Sequence, residues 1–512
     1  MNITQDTILS DKLEAEELFA KELWLDHVDS EISMVGEIPF ISFLVTKDAP
    51  VYLQALQRVQ LSLDDGNCFK GRIQTAKREG KVKFPESIES SVLEGIIGRT
   101  SRVISENDTA LQNFGFVPFH NREETKIIQP ANHLILGRRG VGKSTLITKA
   151  VEVLRRRKNI CVVVDLQAFA NRNDVRVASD LFASLLTQVR AELERLKFEK
   201  SDILQKLKEL ISSSQSEKAK IPQLVLDIKA TIKQITTSLR TELFVFLDDL
   251  HLLPAEIQPS IISTLHGALK GAHGWLKIAG LPTLVRYYDQ LTKTGLQVPG
   301  DAQIISLDLT LTDPLAAEKH LRSILENYLK QVGVKTLSSV IEDASFKRLV
   351  WANAGVVRDF LQMFASALGS ARKSNRAKVV LSDVNLSIGE LGKQKISDLE
   401  QDSRNHADEL KVFLEKLEEF CLNEHKINSF LLKEEVSDFS KTVKTLSDLR
   451  VIHLVHPSIT PHAAGERFEA YMLDYSLFVG FRRKRNIKEI RPKHGLQFQV
   501  KELRSLPVFR DH

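Results

Sequence analysis

The residues from Gly137 to Thr145 have the types and the spacing that phosphate binding requires. Two glycines separated by four residues are followed by Lys and Ser, which fills the Walker A pattern. An apolar stretch precedes this turn and a helical pattern follows it, so backbone N–H groups and a helix N-terminus converge on one anion-sized concavity. The alternative is a chance glycine-rich turn before a helix. The predicted ATP-binding residues are Gly137, Arg138, Arg139, Gly140, Val141, Gly142, Lys143, Ser144 and Thr145.

Two residues of this turn have distinct expected roles. In the Walker A pattern Lys143 reaches the β- and γ-phosphates, and the Ser144 hydroxyl ligates Mg²⁺. We therefore expect ATP and Mg²⁺ as cofactors, with Lys143 contributing to catalysis.

A second stretch, residues 243–250, ends in two adjacent carboxylates. Five apolar residues precede Asp248 and Asp249, which is the Walker B form of a buried strand with carboxylates at its C-terminal end. We expect Asp248 to hold Mg²⁺, directly or through water, and Asp249 to orient the attacking water and accept its proton. An ordinary buried strand with a polar end is the alternative. The short reach of Asp249 leaves the rate of hydrolysis open.

These residues need a scaffold, and apolar runs that alternate with helical patterns supply one. The order predicts an α/β fold with a parallel sheet and right-handed crossovers. We expect the fourth and fifth strands at 275–279 and 303–307, with a helical segment around 282–294 between them. Leucine and isoleucine spacing predicts a helical hairpin inserted at about 190–240, either a projecting contact arm or a packed insertion.

Length and composition limit the class of protein. For 512 residues the length prior is roughly three domains. No apolar run approaches the ~20 residues of a membrane helix, and residues 1–6 lack the pattern of a signal peptide. Three widely separated cysteines fit a reducing compartment and no CxxC metal site. We expect a cytoplasmic protein without membrane contact.

The net charge of +5 conceals an asymmetry between the two ends. Residues 482–510 hold ten Lys/Arg against two Glu, whereas residues 1–31 hold nine Asp/Glu against two Lys. The basic tail either contacts nucleic-acid phosphates or an acidic partner, or is a solvated terminus. Its densest part is Arg482, Arg483, Lys484 and Arg485.

Residues 118–123, just before the Walker A strand, resemble a box found in AAA+ ATPases of the STAND and origin-recognition branches. The box has the form Pro-Phe-x-x-Arg-Glu, and Asn121 stands where a glycine is usual. The resemblance implies that Phe119 and Arg122, with Pro118 and Glu123, form a wall of the nucleotide pocket around the adenine.

The same resemblance implies positions for the residues that sense the γ-phosphate. Residues 353–361 resemble the sensor 2 motif of a helical lid, so Arg358 would reach back to the γ-phosphate. After the fourth strand either Thr283 is a weak substitute for sensor 1, or the sensor is missing. Arg286 is a candidate finger arginine, with a solvated helix arginine as the alternative. Relatives often have Glu where Asp249 stands.

The expected architecture is a P-loop ATPase sheet with a helical lid, a winged-helix-like C-terminal domain and a small N-terminal α+β domain. Asp313 and Pro314 favour the start of the first lid helix, as N-cap and first helical residue. Polar residues 371–404 indicate a linker with a short ordered segment at 379–381. The predicted units are 1–114 (N-terminal accessory domain), 115–310 (ATPase core), 311–400 (lid and linker), 401–480 (winged-helix-like domain) and 481–512 (basic tail).

Three hypotheses of function follow. The first is an ATP-hydrolysing AAA+/STAND switch that self-associates or governs a partner protein, in a setting of bacterial defence or a mobile element. The second is an ATP-dependent DNA-binding factor of initiator or transposition type, which uses the winged helix and the tail. The third is a nucleotide-binding scaffold with little hydrolysis. Salt-dependent DNA binding and ATP turnover discriminate among them.

Overall fold

The computed structural model of the chain describes residues 5–78, 80, 82–100, 117–170, 172, 176–216, 220–403, 407–435, 437–461, 466–479, 486–492 and 498–510. Arg482, Arg483, Lys484 and Arg485, the predicted basic contacts, lie outside the described residues. Within the described part, no helix combines the length and the apolar character that crossing a membrane requires.

The N-terminal module is a small α+β unit, as expected. Its three-stranded sheet has the order β1-β2-β3, with β2 antiparallel to β1 and parallel to β3. Phe19 stacks on Phe43 with ring centroids 4.0 Å apart and so fixes the first helix to the sheet. The elements are α1 (Gln5–Leu23), β1 (Ser30–Val35), β2 (Ile38–Val45), α2 (Pro50–Ser62), β3 (Ile73–Lys77) and α3 (Ile88–Thr100).

The ATPase core is a five-stranded parallel sheet of order β10-β4-β7-β6-β5, so the predicted α/β fold class is confirmed. In this order β4, the first strand of the core along the chain, lies between β10, the fifth, and β7, the fourth. The elements are α4 (Glu123–Ile127), β4 (His133–Leu136), α5 (Lys143–Arg156), β5 (Ile160–Asp165), α6 (Val177–Arg195), α7 (Ser201–Gln215), α8 (Ile221–Leu239), β6 (Leu243–Asp248), α9 (Gln258–Leu269), β7 (Gly274–Gly280), β8 (Tyr288–Asp289), β9 (Thr294–Gly295) and β10 (Gln303–Ser306).

The sequence-based expectations for the inserts in this core are partly wrong. The helix expected around 282–294 is absent from this fully described stretch, where turns and the β8–β9 hairpin stand instead. The 190–240 insertion is a packed one, because Leu207, Leu210, Ile228 and Ile232 are buried in the same hydrophobic cluster as one face of the sheet. Its helices α7 and α8 therefore belong to the hydrophobic core on one face of the parallel sheet.

The lid and the C-terminal domain follow the sheet. Asp313 caps the first lid helix by accepting a hydrogen bond from the Ala316 N–H at 3.0 Å, as predicted. The C-terminal sheet is antiparallel, of order β11-β13-β12, with one helix between its first two strands. The elements are α10 (Pro314–Gln331), α11 (Asp343–Asn353), α12 (Val357–Lys373), α13 (Leu381–Ser403), α14 (Ala407–Glu418), β11 (Ser429–Lys433), α15 (Asp438–Asp448), β12 (Ile452–Ile459), β13 (Phe468–Leu473) and α16 (Val500–Arg504).

The linker predicted at 371–404 is wrong, since most of it is the 23-residue helix α13. Its average composition is polar, but Val384, Ile388, Leu391 and Leu399 recur at helical spacing and are buried. This narrow stripe packs α13 between the lid and the C-terminal domain.

The N-terminal module packs on the lid. Arg372 of α12 donates hydrogen bonds to the Pro85 carbonyl at 2.5 Å and to Glu94 of α3 at 2.8 Å, and Tyr328 of α10 donates to Thr100 at 2.7 Å. One hydrophobic cluster accordingly runs through the module, the lid and the C-terminal domain. The two faces of the parallel sheet have clusters of their own.

Candidate nucleotide site

The loop between β4 and α5 has the open backbone that an anion site needs. Gly140 and Gly142 have φ angles of 81° and 103°, in the left-handed region that glycine adopts without strain. A Cβ on Gly142 would lie 3.3 Å from Phe119 Cζ, so this loop passes close under the phenylalanine ring. Val141 is buried between these glycines, and Thr145 is half-buried at the start of α5.

The Lys143 ammonium is buried and turned onto the loop itself. Its Nζ donates to the carbonyls of Gly137 at 2.8 Å and Arg138 at 3.2 Å. Burial lowers the pKa of Lys143, and the nearby carboxylates of Asp249 and Asp248 partly offset that effect. The cation is thus held inside the loop, where phosphates would replace the carbonyls as its partners.

Ser144 and Asp248, the two predicted Mg²⁺ ligands, come together. The Ser144 hydroxyl donates to Asp248 Oδ2 at 2.7 Å. Burial, and next the charge of Asp249, raises the pKa of Asp248 to about 6. A hydroxyl and a carboxylate, oxygen donors suited to Mg²⁺, therefore sit beside the loop at the carboxyl end of the sheet.

Asp249 directly follows the strand β6 and is partly exposed. Its φ of 58° reverses the chain directly after β6, and its N–H donates to Asp248 Oδ1 at 3.0 Å. The side chain is 39% exposed and lies 3.9 Å from Nδ1 of His251. Asp248 is half-buried as well, and it is the carboxylate that contacts Ser144. The division of roles, with Asp248 toward the metal and Asp249 toward the attacking water, stays a prediction.

A cleft of about 330 Å³, its open mouth included, adjoins the loop. Phe119, predicted for the adenine wall, lines it together with Val141 and Glu123. His320 of the lid helix α10 stacks on Phe119 with ring centroids 6.1 Å apart and completes the wall. Burial lowers the pKa of His320 to about 4, so the ring is neutral at pH 7 and presents an aromatic face.

Arg122 and Pro118 do not have the predicted position in that wall. Both are exposed, and neither is among the described residues that line the cleft. Arg122 has a φ of 56° and precedes α4, where the Thr125 hydroxyl binds its carbonyl at 2.8 Å. His120 and Asn121 line the cleft in their place.

The side chain of Arg138, predicted for the phosphate site, joins the loop to other elements. Its guanidinium donates to Asp308 after β10 at 3.0 Å and to the carbonyls of Leu309 and Ala354, each at 2.9 Å. The Asp308 carboxylate also accepts the Arg138 backbone N–H at 3.0 Å. Arg138 therefore stabilises the loop against the fifth strand and the lid.

The lid contacts the loop at the predicted sensor 2 residue. The Arg358 N–H donates to the Gly140 carbonyl at 3.1 Å. A Cβ on Gly140 would lie 2.9 Å from Arg358 Cβ and 3.1 Å from Val356 Cγ1, so the lid and the loop are in direct contact. The Arg358 charge also contributes to the lowered pKa of Lys143, after burial.

The C-terminal domain reaches the same site through Asp448, the last residue of α15. Its carboxylate accepts hydrogen bonds from the Thr283 N–H at 2.8 Å and from the Thr283 hydroxyl at 2.7 Å. Its carbonyl accepts the Arg139 N–H at 3.5 Å. Burial raises the pKa of Asp448 to about 6. Thr283, the substitute sensor 1, is thus bound by another domain.

A buried ionic network continues this contact into the lid. Arg450 pairs with Asp359, the residue after Arg358, and Lys395 of α13 joins Asp359 at 3.2 Å to Asp474 at 2.5 Å. Every one of these side chains is at most 2% exposed. The network therefore ties the lid residue beside Arg358 to the C-terminal domain.

Arg286 is not assembled with the loop. It pairs with Asp289 at 2.7 Å and is 44% exposed, in agreement with the solvated alternative.

Sequence reasoning missed Asp308, His320 and Asp448. Asp308 carried a usable signal, since it is the first carboxylate after a parallel strand. His320 and Asp448 lie far along the chain and join the site only through tertiary packing.

No family model and no curated protein matches the chain. Solved structures do resemble it. The ORC1 protein of Aeropyrum pernix in complex with DNA is 14% identical, with 71% of this chain and 91% of that chain covered and a TM-score of 0.36. Drosophila ORC bound to DNA is 11% identical, with 82% of this chain and 96% of that chain covered and a TM-score of 0.35. Cdc6p of Pyrobaculum aerophilum is 13% identical, with 71% of this chain and 94% of that chain covered and a TM-score of 0.35.

The Walker A loop, the Walker B carboxylates and the parallel sheet that carries them lie together at one edge of the core. These motifs and this sheet have the arrangement expected of a P-loop ATPase core.

Proposed function

We propose that this protein is an ATP-binding and ATP-hydrolysing molecular switch of the AAA+/STAND type, which controls a partner protein or an assembly. One observation carries the proposal. Two other domains touch the phosphate-binding loop directly, the lid through the Arg358 N–H on the Gly140 carbonyl and the C-terminal domain through the Asp448 carbonyl on the Arg139 N–H. The Asp448 carboxylate also binds Thr283, which follows β7. A nucleotide in the loop would change the contacts of both domains, which is the coupling that a switch needs.

The residues fit ATP and Mg²⁺. The loop from Gly137 to Ser144 would hold the phosphates, with Lys143 as the cation, while Ser144 and Asp248 would hold Mg²⁺. Bound Mg²⁺ would neutralise charge on the phosphates during hydrolysis. Asp249 would orient a water molecule and accept its proton. Arg358, whose N–H already contacts Gly140, would add a second cation at the loop.

Hydrogen exchange tests the proposal. The protein is compared without nucleotide, with ADP, and with a non-hydrolysable ATP analogue. We expect the analogue to change the exchange of α12 and α15, and ADP to give a different pattern. The variant Lys143→Ala should lose both responses. Identical exchange in the three states, with nucleotide shown to be bound, would contradict a switch.

A DNA-binding initiator or transposition factor is the second candidate. It is favoured by the helix α15 before the antiparallel hairpin β12–β13, with Lys441 exposed on α15. Replacing Arg482, Arg483, Lys484 and Arg485 by Ala should flatten the salt dependence of DNA binding by up to about 3 to 4 units of log–log slope. Absence of DNA or RNA binding at low salt would remove this candidate.

A nucleotide-binding scaffold with little hydrolysis is the third candidate. It is favoured by Thr283, whose hydroxyl is hydrogen-bonded to Asp448 in the C-terminal domain. Single-turnover measurements separate it from the switch. Bound ATP that persists for hours without conversion to ADP would favour the scaffold, whereas turnover within minutes would exclude it.

A further inference from the structure

The outer edge of the N-terminal sheet has open backbone groups. The Ile41 N–H donates to Arg72 next to β3, so in the antiparallel β1–β2 pair Ile41 and its partner Ile32 do not bond each other. Met34, two residues on, is opposite Pro39, which has no N–H to give. The N–H and C=O groups of Ile32 and Met34 therefore point away from β2, and residues 31–35 are all exposed.

A row of apolar side chains borders this edge on both sides. Ile32 and Met34 are 38% and 53% exposed on the sheet face that carries α1. Lys12 and Glu16 of α1 contact Ser30, which shows that this flank of the helix faces β1. Leu9 and Leu13 precede Lys12 and Glu16 by three residues each, so they share that flank, and they are 58% and 53% exposed.

The groove between α1 and the outer edge of β1 has an acidic rim. Asp6 lies three residues before Leu9, and Glu17 lies four residues after Leu13, so both extend the same helical stripe, and both are exposed. A second copy of the chain would bring like charges together here, because residues 1–31 hold nine acidic residues against two lysines. The charge favours a basic occupant.

We propose that the groove between α1 and the free edge of β1 binds an extended segment of a partner protein, which adds a strand to the sheet. Backbone hydrogen bonds to Ile32 and Met34 would hold it, with aliphatic side chains at alternate positions between Leu9, Leu13 and Met34. Lys or Arg at the two outer positions of that same face would pair with Asp6 and Glu17, because alternate side chains of a strand share a face. The segment is recognised as an apolar, basic β-strand.

This role goes beyond the proposed ATPase switch, because it assigns the binding of a partner protein to the N-terminal module. Arg372 and Tyr328 attach the module to the lid, so a bound partner would be carried on the element that contacts Gly140. Peptide binding and nucleotide binding remain separately measurable. The variant Lys143→Ala should bind the peptide normally, so loss of ATP binding would leave this proposal standing.

The experiment uses the full chain and two fluorescent nine-residue peptides that have valine at positions 4 and 6 and threonine at the odd positions. Positions 2 and 8, on the valine face, are lysine in one peptide and glutamate in the other. The wild type should bind the lysine peptide at least about tenfold more tightly. Met34→Pro removes an outward N–H and should weaken that binding about tenfold. Leu13→Ser should also weaken it, whereas Leu61→Ser on α2, at a side chain 84% exposed, is the matched control.

The double variant Asp6→Lys, Glu17→Lys changes only exposed residues and should reverse the peptide preference. This variant keeps the proposal testable if Met34→Pro fails to fold. Equal binding of both peptides by the wild type, no binding of either, or no effect of a folded Met34→Pro variant would overturn the proposal. Concentration-dependent dimers of the wild type that Met34→Pro abolishes would assign the edge to a second copy and overturn it too.

Discussion

The Asp448 carboxylate accepts two hydrogen bonds from Thr283, one from the backbone N–H at 2.8 Å and one from the hydroxyl at 2.7 Å. Thr283 follows the strand β7 of the ATPase sheet, and Asp448 ends a helix of the C-terminal domain. Asp448 is buried, whereas Thr283 is exposed, so the contact lies at the surface of the Asp448 pocket. The position from which the fourth strand would monitor a γ-phosphate is thus bound to a different domain.

Asp448→Ala should loosen the C-terminal domain. Two hydrogen bonds to a charged acceptor are lost, which costs about 2 kcal/mol or more. We expect amides of α15 and of the turn after β7 to exchange roughly 30-fold faster. Asp438→Ala, at the exposed other end of α15, is the control. Unchanged exchange in the Asp448 variant would mean that this contact does not hold the domain.

Lys143→Ala should weaken ATP binding by at least about tenfold, because the cation that compensates the phosphate charge is gone. Titration with a fluorescent ATP analogue measures the change. Lys149→Ala, on the same helix and paired with Glu152 at 2.8 Å, should bind ATP as the wild type does. Wild-type affinity in the Lys143 variant would contradict the assignment of the loop.

Asp249→Asn should retain ATP and slow its hydrolysis by about 10²- to 10⁴-fold, since the amide cannot accept a proton. Single-turnover conversion of bound ATP and equilibrium binding are measured on the same preparation. If affinity collapses while bound ATP turns over at the normal rate, the roles of Asp248 and Asp249 are exchanged.

Asp248→Asn should stabilise the protein at pH 7.5. The pKa of Asp248 is raised from its ordinary 3.8 to about 6, chiefly by burial, so its ionised form costs folding free energy above pH 6. The cost, about 2 to 3 kcal/mol, fades as the pH falls from 6 to 4 and the folded protein takes up the proton. Urea unfolding at pH 7.5 and 4.5 measures it, and a gain independent of pH would refute the explanation.

Gly140→Ala should destabilise the contact between loop and lid. The φ of 81° costs an alanine about 1 to 2 kcal/mol, and its Cβ would lie 2.9 Å from Arg358 Cβ. Gly369→Ala is the matched control, because Gly369 is in the helix α12 with nothing within 4 Å of a Cβ. It should gain about 0.5 to 1 kcal/mol in urea unfolding. Equal effects of the two variants would disprove the lid contact.

The chemistry of the loop was predictable because it depends on neighbours in sequence. Gly142, Lys143 and Ser144 must be adjacent for a turn to present N–H groups, a cation and a hydroxyl together. Asp248 was predictable for a similar reason, since a buried strand delivers its next residue to the sheet edge. The predicted position of the site therefore follows from residues that are close together in sequence.

The partners of the loop were not predictable in this way. Arg138 looked like a phosphate ligand, yet it bonds Asp308, Leu309 and Ala354, and only packing of the lid brings Ala354 there. Asp448 reaches Thr283 across 165 positions of sequence. The polar average composition of residues 381–403 also led to the wrong prediction of a linker. Only about one residue in three or four of the helix α13 is apolar and buried.

The shared hydrophobic cluster changes what counts as a domain in this chain. Val92 and Leu93 of α3 belong to the same cluster as Phe360 of the lid and Tyr471 of the C-terminal sheet, whereas the parallel sheet has separate clusters. The ATPase core is thus an insertion within a larger folding unit that closes only when both ends of the chain are present. A fragment that begins at residue 115 would lack one wall of that unit. Its aggregation would report an incomplete fold, because the lid and the C-terminal domain would expose the part of the shared cluster that the N-terminal module covers.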